Sequence, residues 1–211
     1  MEETRLSMSM SSHTPNQSHH PDAPGTPLTD AHSTGGADHG RWSTKRIAVY
    51  ALFVALTMVV SFFSFPIFPV APWLRYDPSG IVVLVAGFAF GPAAAAIVSV
   101  LGFLPHVFTN PFGALVAIVV ALALSVPAAL IYRKIHTRAG AVLGIVTGAV
   151  LGVIAAILCN IAITPLYAHM SMGEVLAMIV PILLPFNLMK FAIHGLVTFL
   201  VYKPISRLVN R

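Results

Sequence analysis

One lysine stands in the middle of an apolar stretch, and its position limits what the protein can do. Lys190 lies nine residues into the run Pro181–Tyr202. At about 1.5 Å per residue this is about 13 Å along a helix, near the middle of a hydrocarbon layer about 30 Å thick. A lysine stem reaches about 6 Å, too short to bring the ammonium to either surface. Left uncompensated, that charge costs at least about 2.5–3.5 kcal/mol. A ligand or ion site explains it; so does a structural ion pair or a contact to backbone carbonyls.

Two residues on the same run extend the pattern. Asn187 is three residues before Lys190, and His194 is seven after Asn187, so helical spacing predicts one polar stripe. A fourth candidate, Asn160, lies in the preceding apolar run. If the two helices are antiparallel, Asn160 and Asn187 sit at similar depth, about 8–9 Å below the surface. Such a set suits an outward-open polar pocket. The bland alternative for either amide is an interhelical hydrogen bond, worth about 0.6 kcal/mol on average; for His194 it is a satisfied core histidine. Phe65, Phe68, Trp73 and Tyr76, in the Pro66–Ser79 connection and just before it, offer flat surface to cover an aromatic ligand. They equally suit an interfacial aromatic belt. Asp77-Pro78 reads as a helix cap followed by the first helical position, or as a polar contact for ligand or Lys190. His106 and Asn110 are weaker candidates.

Several chemistries lack their residues. The four lysines are Lys45, Lys134, Lys190 and Lys203, and none follows a glycine, so no P-loop is present. No metal-binding spacing, paired carboxylates or Gly-x-Ser-x-Gly nucleophile occurs. No catalytic residue, metal or cofactor is expected, and binding or transport remains. The basic net charge of +5 marks membrane topology and is no nucleic-acid footprint. Cys159, the single cysteine, reads as a small buried hydrophobe.

The elements that position these residues are hydrophobic helices. Apolar residues make up 57% and charged residues 9% of the chain, with mean hydropathy +0.85, too few charges to coat a soluble domain. Residues 1–40 are polar and His-containing and are expected to form a disordered tail. Residues 41–211 are expected to form an all-α integral membrane domain of six transmembrane helices. The expected helices are Ile47–Phe65, Gly80–Phe90, one from Pro92 to near Phe108, Phe112–Tyr132, Ala139–Thr164 closed by Pro165, and Pro181–Tyr202 ended by Lys203-Pro204. The second and third are short and need tilt or protein shielding. Basic residues at Arg41, Lys45 and Arg46, at Arg133, Lys134 and Arg138, and at Lys203, Arg207 and Arg211 fall on one side if six helices cross, which makes both termini cytoplasmic. Gly140, Gly144, Gly148 and Gly152, continued by Ala156, predict a ridge that lets a neighbouring helix approach closely.

The chain resembles the substrate-binding S components of energy-coupling factor (ECF) vitamin transporters, and most of all their riboflavin-specific branch. The resemblance covers roughly Ala48–Ser206. It rests on Ala-Gly-Phe-Ala-Phe-Gly-Pro (Ala86–Pro92), Pro-Ala-Ala-Leu-Ile-Tyr-Arg-Lys (Pro127–Lys134), Asn160 with Pro165-Leu166-Tyr167, and Pro-Phe-Asn-Leu-Met-Lys (Pro185–Lys190). It implies a six-helix bundle in the cell membrane. It also implies a transmembrane coupling subunit and two ATPase subunits as partners. Small alanines on the first helix, here Ala51 and Ala55, would meet the coupling subunit. Asn160, Asn187 and Lys190 match residues that contact the flavin, whose uracil-like edge carries an N–H between two carbonyls. Amides donate and accept there, while Lys donates only. Two segments depart from the branch: Asp77–Ile81 replaces a Ser-Asp-Ile-Pro segment, and Gly102–Phe112 replaces a Lys-Asn pair and a Gly-rich stretch. The residues leave room for another vitamin or small molecule on the same scaffold, and for a proton-coupled secondary transporter.

Overall fold

Ser43 opens the first helix, its side chain accepting from the Arg46 amide, and the computed structural model describes residues 43–69 and 71–209. The expected tail of residues 1–40 lies outside the described residues. Helix α1 is Thr44–Phe62, three residues earlier at each end than expected, because the Ser43 cap sets its start. Beyond it the chain is extended. Phe65–Pro66 (β1) pairs antiparallel with Arg75–Tyr76 (β2), a two-residue ladder that no alternating pattern announced.

Helix α2, Ser79–Phe90, begins one residue later than the Asp77-Pro78 reading placed it. Asp77 still closes its first turn: its two carboxylate oxygens accept from the Ser79 amide and hydroxyl, each at 2.8 Å. Gly91 has φ 87°, a turn that only glycine makes freely, and Pro92 starts α3, Pro92–Phe103. A 3₁₀ turn, Leu104–Phe108, replaces the last part of the expected third helix. Helix α4, Pro111–Lys134, is capped by Asn110, which accepts from the Gly113 amide.

Two prolines do not stop their helices. Helix α5, Arg138–Ala168, runs through Pro165 and ends where His169 turns left-handed at φ 55°. The short α6, Met172–Ala177, starts with a reciprocal Ser171–Glu174 capping box inside what reads as a loop. A π turn, Ile179–Leu183, then leads into α7, Leu184–Val209, which passes Pro204. A proline removes one backbone hydrogen bond. Ending a helix in apolar surroundings leaves several groups unpaired, which costs more.

Among the described residues four helices are long and apolar enough to cross a membrane: α1, α4, α5 and the segment Ile179–Pro204. Helices α2 and α3 have 12 residues each, about 18 Å at 1.5 Å per residue. Helix α2 is nonetheless shielded, because it packs on α1, α3, α4 and α7 and buries all but two of its residues, Ile81 and Val82. Around it α1 lies on α3, α3 on α4, α4 on α5, and α5 on α7.

The tightest seam joins α4 and α5 through the expected glycine ridge. A Cβ added to Gly144 would stand 2.7 Å from the Ala128 carbonyl oxygen, and one on Gly148 would strike the Leu124 carbonyl oxygen. Gly152 receives the Phe191 ring of α7, 3.1 Å from where its Cβ would be. A second join links α7 to the start of α2. His194 is 1% exposed, and its Nε2 lies 2.9 Å from the Asp77 carbonyl oxygen, which can only accept. The ring fits because Gly80, beneath it, has no side chain to collide with Nδ1.

Two outcomes test these seams. Gly148→Val should destabilise the detergent-solubilised protein by about 2 kcal/mol or more, because a backbone carbonyl cannot move aside as a side chain can. Val146→Ala, on the exposed face of the same helix, should change stability by less than about 0.5 kcal/mol. Equal melting temperatures for the two variants would mean that the ridge is not a close contact. His194→Ala should cost about 2–4 kcal/mol, from a lost bond to a buried carbonyl together with a cavity. An unchanged melting temperature would remove that tie.

Candidate functional site

A cavity of about 390 Å³ opens among α1, α4, α5, α7 and the chain between α1 and α2. Small-molecule sites span roughly 300–1,000 Å³. One wall is polar and belongs to α5 and α7, with Asn160, Asn187 and Lys190. Its apolar part comes from α4, with Ala114, Ala117 and Val120. On the α1 side stand Ser61, His106 and Asn110. The connection from α1 to α2 adds Ser64, Trp73, Arg75 and Asp77.

Asn160 and Asn187 are 7% and 4% exposed, and each folds back on its own helix. Asn187 Nδ2 donates to Leu183 O at 2.7 Å, and Asn160 Nδ2 donates to Ala156 O at 2.7 Å. Thr164 Oγ1 donates to Asn160 Oδ1 at 3.0 Å. A carboxamide has two N–H donors and an oxygen with two lone pairs. Each Asn therefore keeps one donor. Asn187 Oδ1 has no protein partner among the described residues, and Asn160 Oδ1 has room for a second bond. Lys190 makes no hydrogen bond or ion pair among the described residues, and it is half-buried where it lines the cavity. Among the described residues Asp77 is the only carboxylate on the lining, and both of its oxygens already serve Ser79. The wall thus offers an ammonium, spare amide donors and a free carbonyl acceptor on an otherwise apolar surface. That set suits a flat heterocycle whose edge alternates acceptor and donor.

Three of the expected positions lie elsewhere. His194 is off the cavity, because its ring turns to the backbone of Asp77 and packs on Gly80. The helical stripe breaks there: Asn187 and Lys190 face the cavity, while His194 faces α2. Phe68 packs edge-on against Phe186, with ring centroids 6.0 Å apart. Tyr76 is buried between Phe65 at 5.5 Å and His194 at 5.7 Å. Burial, and after it the Asp77 carboxylate, push its phenol above its ordinary pKa. Only Trp73, of the aromatic residues expected to form a cover, lines the cavity. Its buried Nε1 has no partner among the described residues.

Other lining residues carried little local signal. Tyr167 falls beyond Pro165, where a helix end is expected; the continuation of α5 brings it to the lining, stacked on Phe112 at 6.1 Å. Arg75 also lines the site, with its guanidinium bound to the Ser64 hydroxyl and carbonyl. Ser61 gave no sequence cue at all. Ala51 and Ala55 are exposed on α1, well away from the lining.

Comparison with known proteins gives this geometry a context. The family described as ECF transporter, substrate-specific component, matches residues 45–202. The riboflavin transporter RibU of Staphylococcus aureus is 27% identical over 176 residues, 79% of this chain and 93% of that one. RibU of Streptococcus thermophilus is 28% identical over 180 residues, 79% of this chain and 85% of that one. A solved structure of the S component of a bacterial ECF transporter superposes with a TM-score of 0.67 at 25% identity, covering 79% of this chain and 98% of that one. With most of the helical bundle inside the match, the chain belongs to the family of substrate-specific components of ECF transporters.

Proposed function

We propose that this S component binds riboflavin from the outer side of the cell membrane. The observation that carries the reading is the meeting of Asn160, Asn187 and Lys190 on one cavity wall. The uracil-like edge of a flavin ring presents carbonyl, N–H and carbonyl in sequence. The Lys190 ammonium and the spare amide N–H groups supply donors to the carbonyls, and the free Asn187 Oδ1 supplies an acceptor to the N–H. The apolar α4 residues suit the ring faces. Likeness to two riboflavin transporters at 27% and 28% identity supports the same ligand.

Transport needs energy from elsewhere, because the sequence holds no nucleotide-binding motif. The chain works with a coupling subunit and two ATPase subunits, in the manner of its family. It crosses the membrane six times, with α2, and α3 together with its 3₁₀ turn, completing the four long helices. Both termini are cytoplasmic, which gathers the basic clusters around Lys45, Lys134 and Lys203 on one side. Ala51 and Ala55 give α1 a shallow exposed strip, on which a partner helix can seat closely.

Two results test this reading. Purified protein should bind riboflavin and quench its fluorescence, and Lys190→Ala should weaken that affinity at least about tenfold, the loss of a charged hydrogen bond. Unchanged affinity takes Lys190 out of the site, and a colourless protein indifferent to added flavin refutes the ligand. Ala51→Trp should leave riboflavin affinity intact while reducing copurification with the coupling subunit and riboflavin uptake. Full uptake would place the partner elsewhere.

A further inference from the structure

The end of the cavity formed by α1, the 3₁₀ turn and the start of α4 holds polar groups that a ring bound at α5 and α7 does not use. Ser61 has one hydroxyl hydrogen, which it donates to Met58 O at 2.7 Å. Its oxygen also lies 2.7 Å from His106 Nε2. With its hydrogen spent, Ser61 Oγ accepts, so Nε2 carries the proton and donates. In the neutral ring, Nδ1 is then a bare acceptor. Phe62 at 4.8 Å and Phe103 at 6.4 Å hold the imidazole in place. Nδ1 has no protein partner among the described residues, and His106 lines the cavity.

Donors line the same cavity. Asn110 uses Oδ1 to cap α4 at Gly113 N, 2.9 Å away, which turns its Nδ2 into a donor with no partner among the described residues. Ser64 Oγ accepts from Arg75 Nε at 3.0 Å and retains its own hydrogen. The wall therefore pairs a fixed acceptor with amide and hydroxyl donors. A carbonyl or ether ligand would leave the His106 acceptor unmatched. A hydroxyl group both donates and accepts, and several in a row match the mixed set. The apolar α4 residues lie between this wall and the amide–lysine wall.

We infer that His106 and Asn110 form a polyol subsite, which selects ligands carrying a hydroxylated chain on the ring held by Asn160, Asn187 and Lys190. The inference rests on the flavin reading above and adds a specificity determinant to it.

Riboflavin and lumiflavin share the ring and differ in the chain, a ribityl group against a methyl. Titration of the purified full chain with both, read by flavin fluorescence, separates the two walls. Wild-type protein should bind riboflavin at least about tenfold more tightly than lumiflavin, because a site built for hydroxyl groups is left unpaired without them. His106→Leu should lose roughly five- to tenfold for riboflavin, the worth of about one hydrogen bond, and leave lumiflavin unchanged. Asn110→Asp keeps an oxygen for the α4 cap, deletes the donor, and should give the same pattern; it decides alone if His106→Leu does not fold. Equal losses for both ligands, or none for riboflavin, overturn the subsite. Wild-type protein that binds both flavins equally overturns the subsite and spares the flavin reading, whereas binding neither overturns both.

Discussion

An ammonium group held in hydrocarbon must meet something polar, and Lys190 has no means of doing so within its own helix. The neighbouring amides do. Asn160 and Asn187 each reach back to the carbonyl four residues earlier and satisfy part of their hydrogen bonding locally. Lysine has donors but no acceptor, and Lys190 has no hydrogen-bond or ion-pair partner among the described residues. The cavity wall is organised around this asymmetry. Two amides are held in place by their own backbone, and one cation is left for whatever fills the space.

The rest of the bundle keeps that wall in place. Helix α2 is too short to cross a bilayer alone, yet neighbours surround it almost completely. Its first turn is fastened at both faces of Asp77: the carboxylate binds Ser79, and the backbone carbonyl binds His194 of α7. The helix that carries Lys190 is thereby indexed to the start of α2 and to the connection from α1 to α2 that lines the cavity. His194 contributes to the site by fixing this geometry, and its own ring stays outside the cavity.

The polar wall was legible in the sequence because Asn160, Asn187 and Lys190 interrupt apolar runs, where any polar atom is costly. The glycine ridge was legible for a related reason: four glycines at spacing four mark one face of a helix. His194 has the same periodicity as Asn187, but a long-range contact with Gly80 diverts it, and periodicity carries no information about which neighbour lies opposite. Pro165 and Pro204 read as stops, whereas a helix that continues with one bond missing leaves fewer backbone groups unpaired than one that ends. The Ser61–His106 pair joins residues 45 apart in the chain, so no local pattern announces it. The apolar run begins at Ile47, whereas the Ser43 side chain caps a helix that starts at Thr44, a boundary carried by residue type and not by hydropathy.

The backbone seam between α4 and α5 has a mechanical consequence. Where glycines press directly on the carbonyls of the facing helix, neither helix can slide or rock without steric collision. Among the described residues between α1 and α2, the backbone bonding is a two-residue ladder and short turns, and side chains complete the fastening: Arg75 to Ser64, Phe68 against Phe186, and Asp77 to Ser79. Compliance is therefore unevenly distributed around the cavity. The α4–α5 pair, which bears Asn160, is joined by backbone contact, whereas the stretch bearing Trp73, Arg75 and Asp77 is joined to the bundle largely through side chains. The cavity is therefore bounded on one side by backbone held against backbone, and on another by side chains, which can repack without moving a helix.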